Sequence, residues 1–324
     1  MKVLVTGGAG YIGSTICTYL RDKGAEPIIM DSLVTGNPEF VRDFPFYKAD
    51  IADKTALQKI KDEHPDVQSV IHCAARILVT ESTEDPYLYY RENVVKSTEL
   101  FKNCADLGIR NIIFSSSASV YGTVEGFLAT EDSPTNPDSP YARTKLMMEM
   151  VLKDFCGSLG LSAVSLRYFN PVGSDPCHET GLYVASPTHI IGKLLSVASG
   201  KEDVFKVCGT DYPTRDGTGV RDYIHVWDVA RAHYNALHYL VGTKDGTYDV
   251  VNLGTGEGTT VREFVKAFEK AYGKKVPTMD ADRRPGDPAG TYASCEKAAK
   301  VLGWKTEASL SDAIKDALVW AGIQ

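Results

Sequence analysis

The chain has 324 residues, 43% hydrophobic and 24% charged, an ordinary globular composition with ample length for a core. Its 35 Lys and Arg against 42 Asp and Glu give a net charge of -7; with no basic run, this argues against nucleic acid as a partner. No apolar run approaches membrane-span length, and seven scattered cysteines without a CxxC pair argue for reduced thiols in a cytoplasmic protein.

"KVLVT" reads as a short apolar strand. The glycine turn "GGAGYIG" follows, then an apolar-periodic helix from about Ile12 to Lys23 stopped by Gly24. The opening "MKVLVTGG" leads straight into that strand and turn, so no signal peptide is expected. "PIIMD" is a second strand ending in Asp31, and "FYKAD" and "SVIHCAA" read as the third and fourth. "NVVKSTELFKNCADLG" reads as one long amphipathic helix, "NIIFSSS" as a fifth strand, "SPYARTKLMMEMVLKDFCGSLG" as another long helix and "LSAVSLRYFN" as the next strand. Strands alternating with helices predict an α/β fold, a doubly wound parallel sheet of Rossmann type. From about Pro171 to Val220 the pattern breaks into Gly, Pro, Asp and Thr, with one helix around Ile190–Ser199. "DYIHVWDVARAHYNALHYL" and "YDVVNLG" then read as a helix and strand returning to the sheet, and the tail from about Thr260 is mostly helical.

Gly8, Gly10 and Gly13 form a GxGxxG between a strand and a helix, with Gly7 before them. Glycines there permit a tight turn and close approach of a pyrophosphate to the helix N-terminus. Asp31 closes the next strand, where a carboxylate accepts from a ribose 2′-OH. The residue after it is Ser32 rather than arginine, which favours NAD over NADP. The bland alternative is a glycine turn and a solvated Asp that hold nothing. The expected organisation is an NAD-binding domain over 1–170 with a returning segment at about 223–252. A second, smaller α/β domain over 171–222 and 253–324 is expected to hold the substrate.

Two stretches place Tyr four residues before Lys: "YLRDK" at Tyr19–Lys23 and "YARTK" at Tyr141–Lys145. On a helix this spacing stacks the pair on one face. With 17 tyrosines in the chain, such a motif arises by chance, so context must choose. Tyr19 lies toward the far end of the first helix, which reads as a packed tyrosine beside a solvated lysine. Tyr141 follows a cap at Asp138 or Ser139 and Pro140 in the first turn. That puts it near the strand end carrying Ser115, Ser116 and Ser117, where ligands of doubly wound sheets bind. To oxidise an alcohol, a base takes the hydroxyl proton as hydride leaves for nicotinamide. A phenol ionises near pH 10 in its ordinary state; the Lys145 ammonium and the nicotinamide cation are expected to draw Tyr141 toward neutrality. Ser117 would hydrogen-bond the reacting oxygen. The plain alternative is a capped helix with surface Tyr and Lys.

"TGGAGYIG", "FSSSASVYG", "SPYARTK" and "RYFNPVG" occur in the order in which they stand in the extended short-chain dehydrogenase/reductase superfamily, which the chain resembles over nearly its whole length. Two further stretches, "DYPTRDGTGVRDYIHV" and "RRPGD", are similar to the UDP-glucose 4-epimerase family within it. The resemblance implies oxidation of a UDP-hexose at C4, rotation of the 4-keto sugar and return of hydride to its other face. It implies Tyr141 as base and acid, Lys145 as its partner and Ser117 as a second hydroxyl contact. NAD would be held by Gly7, Gly10, Gly13, Tyr11, Ile12, Asp31, Ser32, Asp50, Ile51, Cys73, Ala74, Ala75, Asn93 and Phe169, together with Tyr141 and Lys145. The UDP-sugar would be held by Asn170, His189, Ile190, Arg221, Arg284 and Asp287, with Thr291 facing the sugar. A homodimer paired through helices is implied, and the apolar residues after Lys145 (Leu146, Met147, Met150, Val151) fit a helix buried on more than one side.

Ile77 stands where many relatives carry a lysine near the nicotinamide ribose. Thr80 replaces a glycine and Gly192 a proline, and residues 176–187 barely match. His225 and His233 flank Asp228, but their spacing and their place in a family stretch argue against a metal, and none is expected. His72 reads as a satisfied core histidine. Two other readings stay open: another nucleotide-sugar enzyme of the superfamily (epimerase, dehydratase, decarboxylase or dehydrogenase), and a non-enzymatic NAD-sensing binding protein. A 4,6-dehydratase needs an acid–base pair close to the serine, which "SSSASVYG" does not supply.

Overall fold

The computed structural model describes residues 1–184, 187–284 and 289–323. Seven parallel strands form the main sheet: β1 (Lys2–Thr6), β2 (Glu26–Asp31), β3 (Phe46–Lys48), β4 (Ser69–His72), β5 (Asn111–Ser115), β6 (Ser162–Tyr168) and β7 (Tyr248–Leu253). Their order is β3-β2-β1-β4-β5-β6-β7, the doubly wound arrangement whose direction of winding reverses between β1 and β4. Successive residues of a strand face opposite ways, so each face carries its own apolar row. Leu4, Ile28, Val70, Ile112 and Ala163 stand in register on one face; Val5, Ile29, Ile71, Ile113 and Val164 do so on the other. Both faces are buried, which is why these strands read as near-continuous apolar runs.

The helices α1 (Tyr11–Asp22), α2 (Lys54–Glu63), α3 (Lys96–Asp106), α4 (Pro140–Leu159) and α5 (Val226–Val241) cover the sheet. Leu57 and Ile60 of α2, Leu100 and Phe101 of α3 and Met148 and Leu152 of α4 pack on the first row. Ile16 and Leu20 of α1 and Val229 and Leu237 of α5 pack on the second. Each such side chain contributes about 1.5–3 kcal/mol by leaving water. The expected helix over "NVVKSTELFKNCADLG" is in fact two pieces, a wide π-type turn at Tyr90–Val95 running into α3. Asn93, 3% exposed, lies in that turn. Its side chain bonds both the N–H and the C=O of Arg76, a tertiary contact that outweighs regular helix geometry.

The smaller α/β part has its own core of Val172, Leu194, Phe205, Phe264, Phe268 and Leu318. Helices Ile190–Ala198, Val261–Tyr272 and Leu310–Trp320 surround it. Strand Asn170–Val172 pairs with Tyr223–His225, and Phe205–Cys208 with Thr278–Ala281. A four-stranded sheet orders Thr259–Thr260, Val220–Arg221, Gly290–Ala293 and Leu128–Ala129. It ties the segment following β5 to strands of the smaller part; its strands are too short to leave a periodic signal.

Candidate active site

The glycine turn sits at the carboxyl end of β1. Gly7 has φ +75°, and a Cβ there would lie 2.5 Å from the Ala74 amide nitrogen; one on Gly13 would lie 2.2 Å from the Gly7 carbonyl oxygen. Only hydrogen fits at either place, and the chain after β4, with Cys73, Ala74 and Ala75, is thereby drawn against the turn. The Asp31 carboxylate, at the end of β2, accepts the N–H of Ala9 at 3.0 Å and of Leu33 at 2.8 Å. Those bonds fix it beside the turn and leave lone pairs for a diol. Ser32 follows, exposed, and Leu33 is held at φ 59°. A glycine cradle of this shape with a fixed carboxylate fits a dinucleotide whose ribose is unphosphorylated.

The other residues expected at the cofactor are placed as follows. Ile12 lies on α1 against the sheet core, and the Tyr11 hydroxyl donates to the Gly173 carbonyl at 2.7 Å, joining α1 to the segment after Val172. Asp50 accepts from the Lys96 ammonium and from the N–H of Ala52. Burial opposes ionisation of this carboxyl, but Lys96 and the backbone donor hold it below its usual range. Ile51 and Phe169 are buried.

Ser139 caps α4, its Oγ accepting the Ala142 N–H at 3.2 Å, with Pro140 in the first turn and Gly160 at φ 66° closing the helix. Tyr141 and Lys145 therefore stand in the first two turns, against the end of β5. The Ser117 side chain lies beside the phenol and favours its ionised form. The Lys145 Nζ donates to the Ser115 carbonyl at 2.7 Å and lies 4.9 Å from the Phe114 ring and 6.0 Å from the Tyr141 ring. Lys145 is 3% exposed, and burial lowers it to about 8, opposed by Cys73 and Glu149. The phenol itself differs from expectation. Burial raises Tyr141, and Ser117 only partly offsets this. The Lys145 ammonium is directed at a backbone carbonyl and does not offset the burial, so the drop toward neutrality needs a further positive charge in the site.

Tyr19 is buried against Trp227, with Lys23 over its ring at 5.4 Å on the exposed end of α1. This pair has no strand-end serine beside it. His72 is buried between the hydroxyls of Thr6 at 2.7 Å and Ser97 at 2.9 Å; burial lowers it to about 3. His225 bonds Asp316 and His233 bonds Ser115, and the described residues contain no cluster able to hold a metal.

Of the residues expected at the substrate, Asn170 donates from Nδ2 to the Asp222 carbonyl at 3.1 Å. Arg221 is opposite Thr291 in strand register, and its Nη1 donates to the Val220 carbonyl. The Thr291 hydroxyl lies 2.6 Å from the Gly290 carbonyl oxygen and 3.1 Å from that of Gly122, so this side chain packs against the turn that follows Ser117. A second group forms around His189, which precedes helix Ile190–Ala198. Arg284 Nη1 reaches the Thr188 carbonyl at 3.5 Å, and burial together with Arg284 lowers His189. Asp287 lies outside the described residues. Sequence reasoning missed the Ser115 carbonyl, Glu149 and Arg167. Only the i+4 spacing of Glu149 from Lys145 leaves a trace in the chain.

Residues 3–254 match the family model described as "NAD dependent epimerase/dehydratase family". The UDP-glucose 4-epimerase of Bacillus subtilis (strain 168) is 41% identical over 330 residues, 99% of this chain and 96% of that protein. Among solved structures, a UDP-glucose-4-epimerase from Stenotrophomonas maltophila with bound NAD and formylated UDP-arabinopyranose is 39% identical, with a TM-score of 0.95 over 99% of this chain and 98% of that one. The UDP-glucose 4-epimerase from Bifidobacterium longum in complex with NAD+ and UDP is 36% identical, with a TM-score of 0.92 over 99% and 98% of the two chains.

Proposed function

The chain belongs to the NAD dependent epimerase/dehydratase family, and we propose on that basis that it inverts C4 of a UDP-hexose, interconverting UDP-glucose and UDP-galactose with NAD as cofactor. The observation that carries this reading is the convergence of Ser117, Tyr141 and Lys145 at the carboxyl end of β5, on the same edge of the sheet as the glycine cradle and Asp31.

NAD, held by the glycine turn and Asp31, would supply the hydride acceptor and donor for C4. The rest is done by the chain. Tyr141 removes the C4 hydroxyl proton and later returns one to the keto oxygen. Ser117 orients that oxygen, and Lys145 holds positive charge beside the phenol. Asn170, Arg221, His189, Arg284 and Asp287 are assigned to the UDP part. Holding the nucleotide while the sugar turns would present both faces of C4 to the same hydride carrier, with the C4 oxygen still in reach of Tyr141. The Ala118–Val120 turn carries no carboxylate, which favours this chemistry over elimination of water.

Domain division follows the same reading: 1–170 with about 223–252 hold NAD, and 171–222 with 253–324 hold the nucleotide sugar. The N-acetylated UDP-hexoses are also assigned as substrates, on the small side chain of Thr291. A homodimer is assigned on Val95 (51% exposed), Met147 (39%) and Met150 (61%), apolar residues on the adjoining Tyr90–Val95 turn and α4. The seven cysteines are all unpaired, which supports a cytoplasmic location. No helix among the described residues is long and apolar enough to cross a membrane.

The test is turnover of a panel of UDP-hexoses, with and without added NAD. Interconversion at C4 with no net NADH is expected. Accumulating NADH, or a product that has lost water or carbon dioxide, would assign a different enzyme of the family. Binding without turnover would leave an NAD sensor.

A further inference from the structure

Two charged side chains lie next to this centre without a part in the chemistry above. Glu149 is one helical turn beyond Lys145 on α4, and Arg167 is on β6; they are 4% and 5% exposed. Arg167 Nε and Nη2 donate to the two Glu149 oxygens at 2.9 and 2.6 Å. The Ser116 hydroxyl donates to Glu149 Oε1 at 2.5 Å. On its other side Arg167 Nη1 donates to the Tyr121 hydroxyl at 2.8 Å, which donates to Asn252 Oδ1 at 2.7 Å.

Ser116 stands between the serine whose carbonyl holds Lys145 and the serine that meets the Tyr141 phenol. One carboxylate thus joins the helix bearing the base to the strand end bearing its partners. A buried ion pair adds little net stability over apolar residues of the same volume. Its effect here is on geometry and local charge. We propose that Glu149, held by Arg167, is the positioning residue of the Tyr141–Lys145 pair: it fixes α4 against the serine turn and sets the negative charge that Lys145 faces.

The proposal rests on the assignment of Tyr141 as base. The groups facing Lys145 are His72 and Cys73 from the β4 end, the Phe114 ring and Ser115 carbonyl from β5, and Tyr141 and Glu149 on its own helix. The Cys73 thiol is raised to about 11, chiefly by burial, and is neutral at working pH. Glu149 is therefore the carboxylate in this set. Ser116, Arg167 and Tyr248 face Glu149, Tyr121 also faces Arg167, and Tyr168 faces Tyr141.

The experiment is the pH profile of kcat/KM for Glu149→Gln, Ser116→Ala and Tyr141→Phe, with UDP affinity and melting temperature measured on each. Glu149→Gln removes the charge but keeps an acceptor. The centre then gives up its proton more readily, so the profile moves to lower pH by about one unit, and the plateau of kcat falls roughly tenfold. UDP affinity stays within about twofold. Ser116→Ala lowers kcat and leaves the profile in place. Should Glu149→Gln fail to fold, the double variant Glu149→Gln with Arg167→Gln, which leaves no unpaired charge, must show the downward move. A profile that stays where it is, with only melting temperature or active fraction reduced, overturns the proposal. An active Tyr141→Phe would instead overturn the assignment of the base.

Discussion

Lys145 donates an Nζ hydrogen bond to the backbone carbonyl of Ser115 at 2.7 Å, so the cation beside Tyr141 is aimed by a strand end and not by the phenol. The ammonium is buried, 3% exposed, and lies 6.0 Å from the Tyr141 ring. A charge at that range would steady a phenolate formed during turnover.

Tyr141→Phe is expected to lose about 10²–10⁴-fold in kcat, the usual worth of a positioned acid–base group, with little change in KM. Tyr19→Phe keeps the packing on Trp227 and is expected to leave kcat within about twofold. Equal losses in the two variants, measured on protein of matched melting temperature, would remove Tyr141 from its assigned role.

Cofactor choice rests on Asp31. A carboxylate accepting from a ribose hydroxyl is worth about 1.5–3 kcal/mol, and it repels a 2′-phosphate. Titration should show NAD bound at least tenfold more tightly than NADP. Asp31→Ala is expected to narrow that gap and also to lower the melting temperature, because the N–H groups of Ala9 and Leu33 lose their acceptor.

Two buried histidines set an acid limit on stability. Burial lowers His72 to about 3, and it lowers His233 to about 4 against a hydrogen bond to the Val229 carbonyl. Below the ordinary histidine value of about 6.5 the unfolded chain binds protons that the folded chain refuses, so stability falls as pH falls. Between pH 6.5 and 4.5 each histidine removes about 2 kcal/mol. Urea unfolding across that range should show a smaller loss for His233→Gln, which keeps an acceptor for Ser115, than for the parent; an identical pH slope would contradict this.

The oligomer prediction concerns Val95 and Met150. Sedimentation at micromolar concentration is expected to show a dimer, and Met150→Glu to shift it toward monomer with the fold intact. A parent that sediments only as monomer would refute the helix-paired dimer.

Substrate width is expected to depend on Thr291. The parent is expected to turn over N-acetylated as well as plain UDP-hexoses, and Thr291→Tyr to lose the N-acetylated activity selectively, a ring being far larger than the methylene differences that change binding by about 1–3 kcal/mol. Comparison of kcat/KM for the two sugar classes decides this. No N-acetyl activity in the parent, or full activity in the tyrosine variant, would refute it.

The local signals were sufficient for much of this protein. A glycine turn between a strand and a helix, an acidic residue closing the next strand, and a capped helix with Tyr and Lys four apart are written within short windows, because each depends on neighbours along the chain. Strand and helix periodicity likewise placed the seven strands of the main sheet. What the chain could not announce are contacts between residues far apart in sequence: Lys145 on the Ser115 carbonyl, the Glu149–Arg167 pair, Thr291 against Gly122, and the pairing of the short strands in the four-stranded sheet. Spacing carries no information about such pairs, since nothing in the window around one partner depends on the other. The ionisation of Tyr141 is of the same kind. The sequence placed a cation beside it, but the burial that raises it is a property of the packed site, set by how much water the surrounding elements exclude.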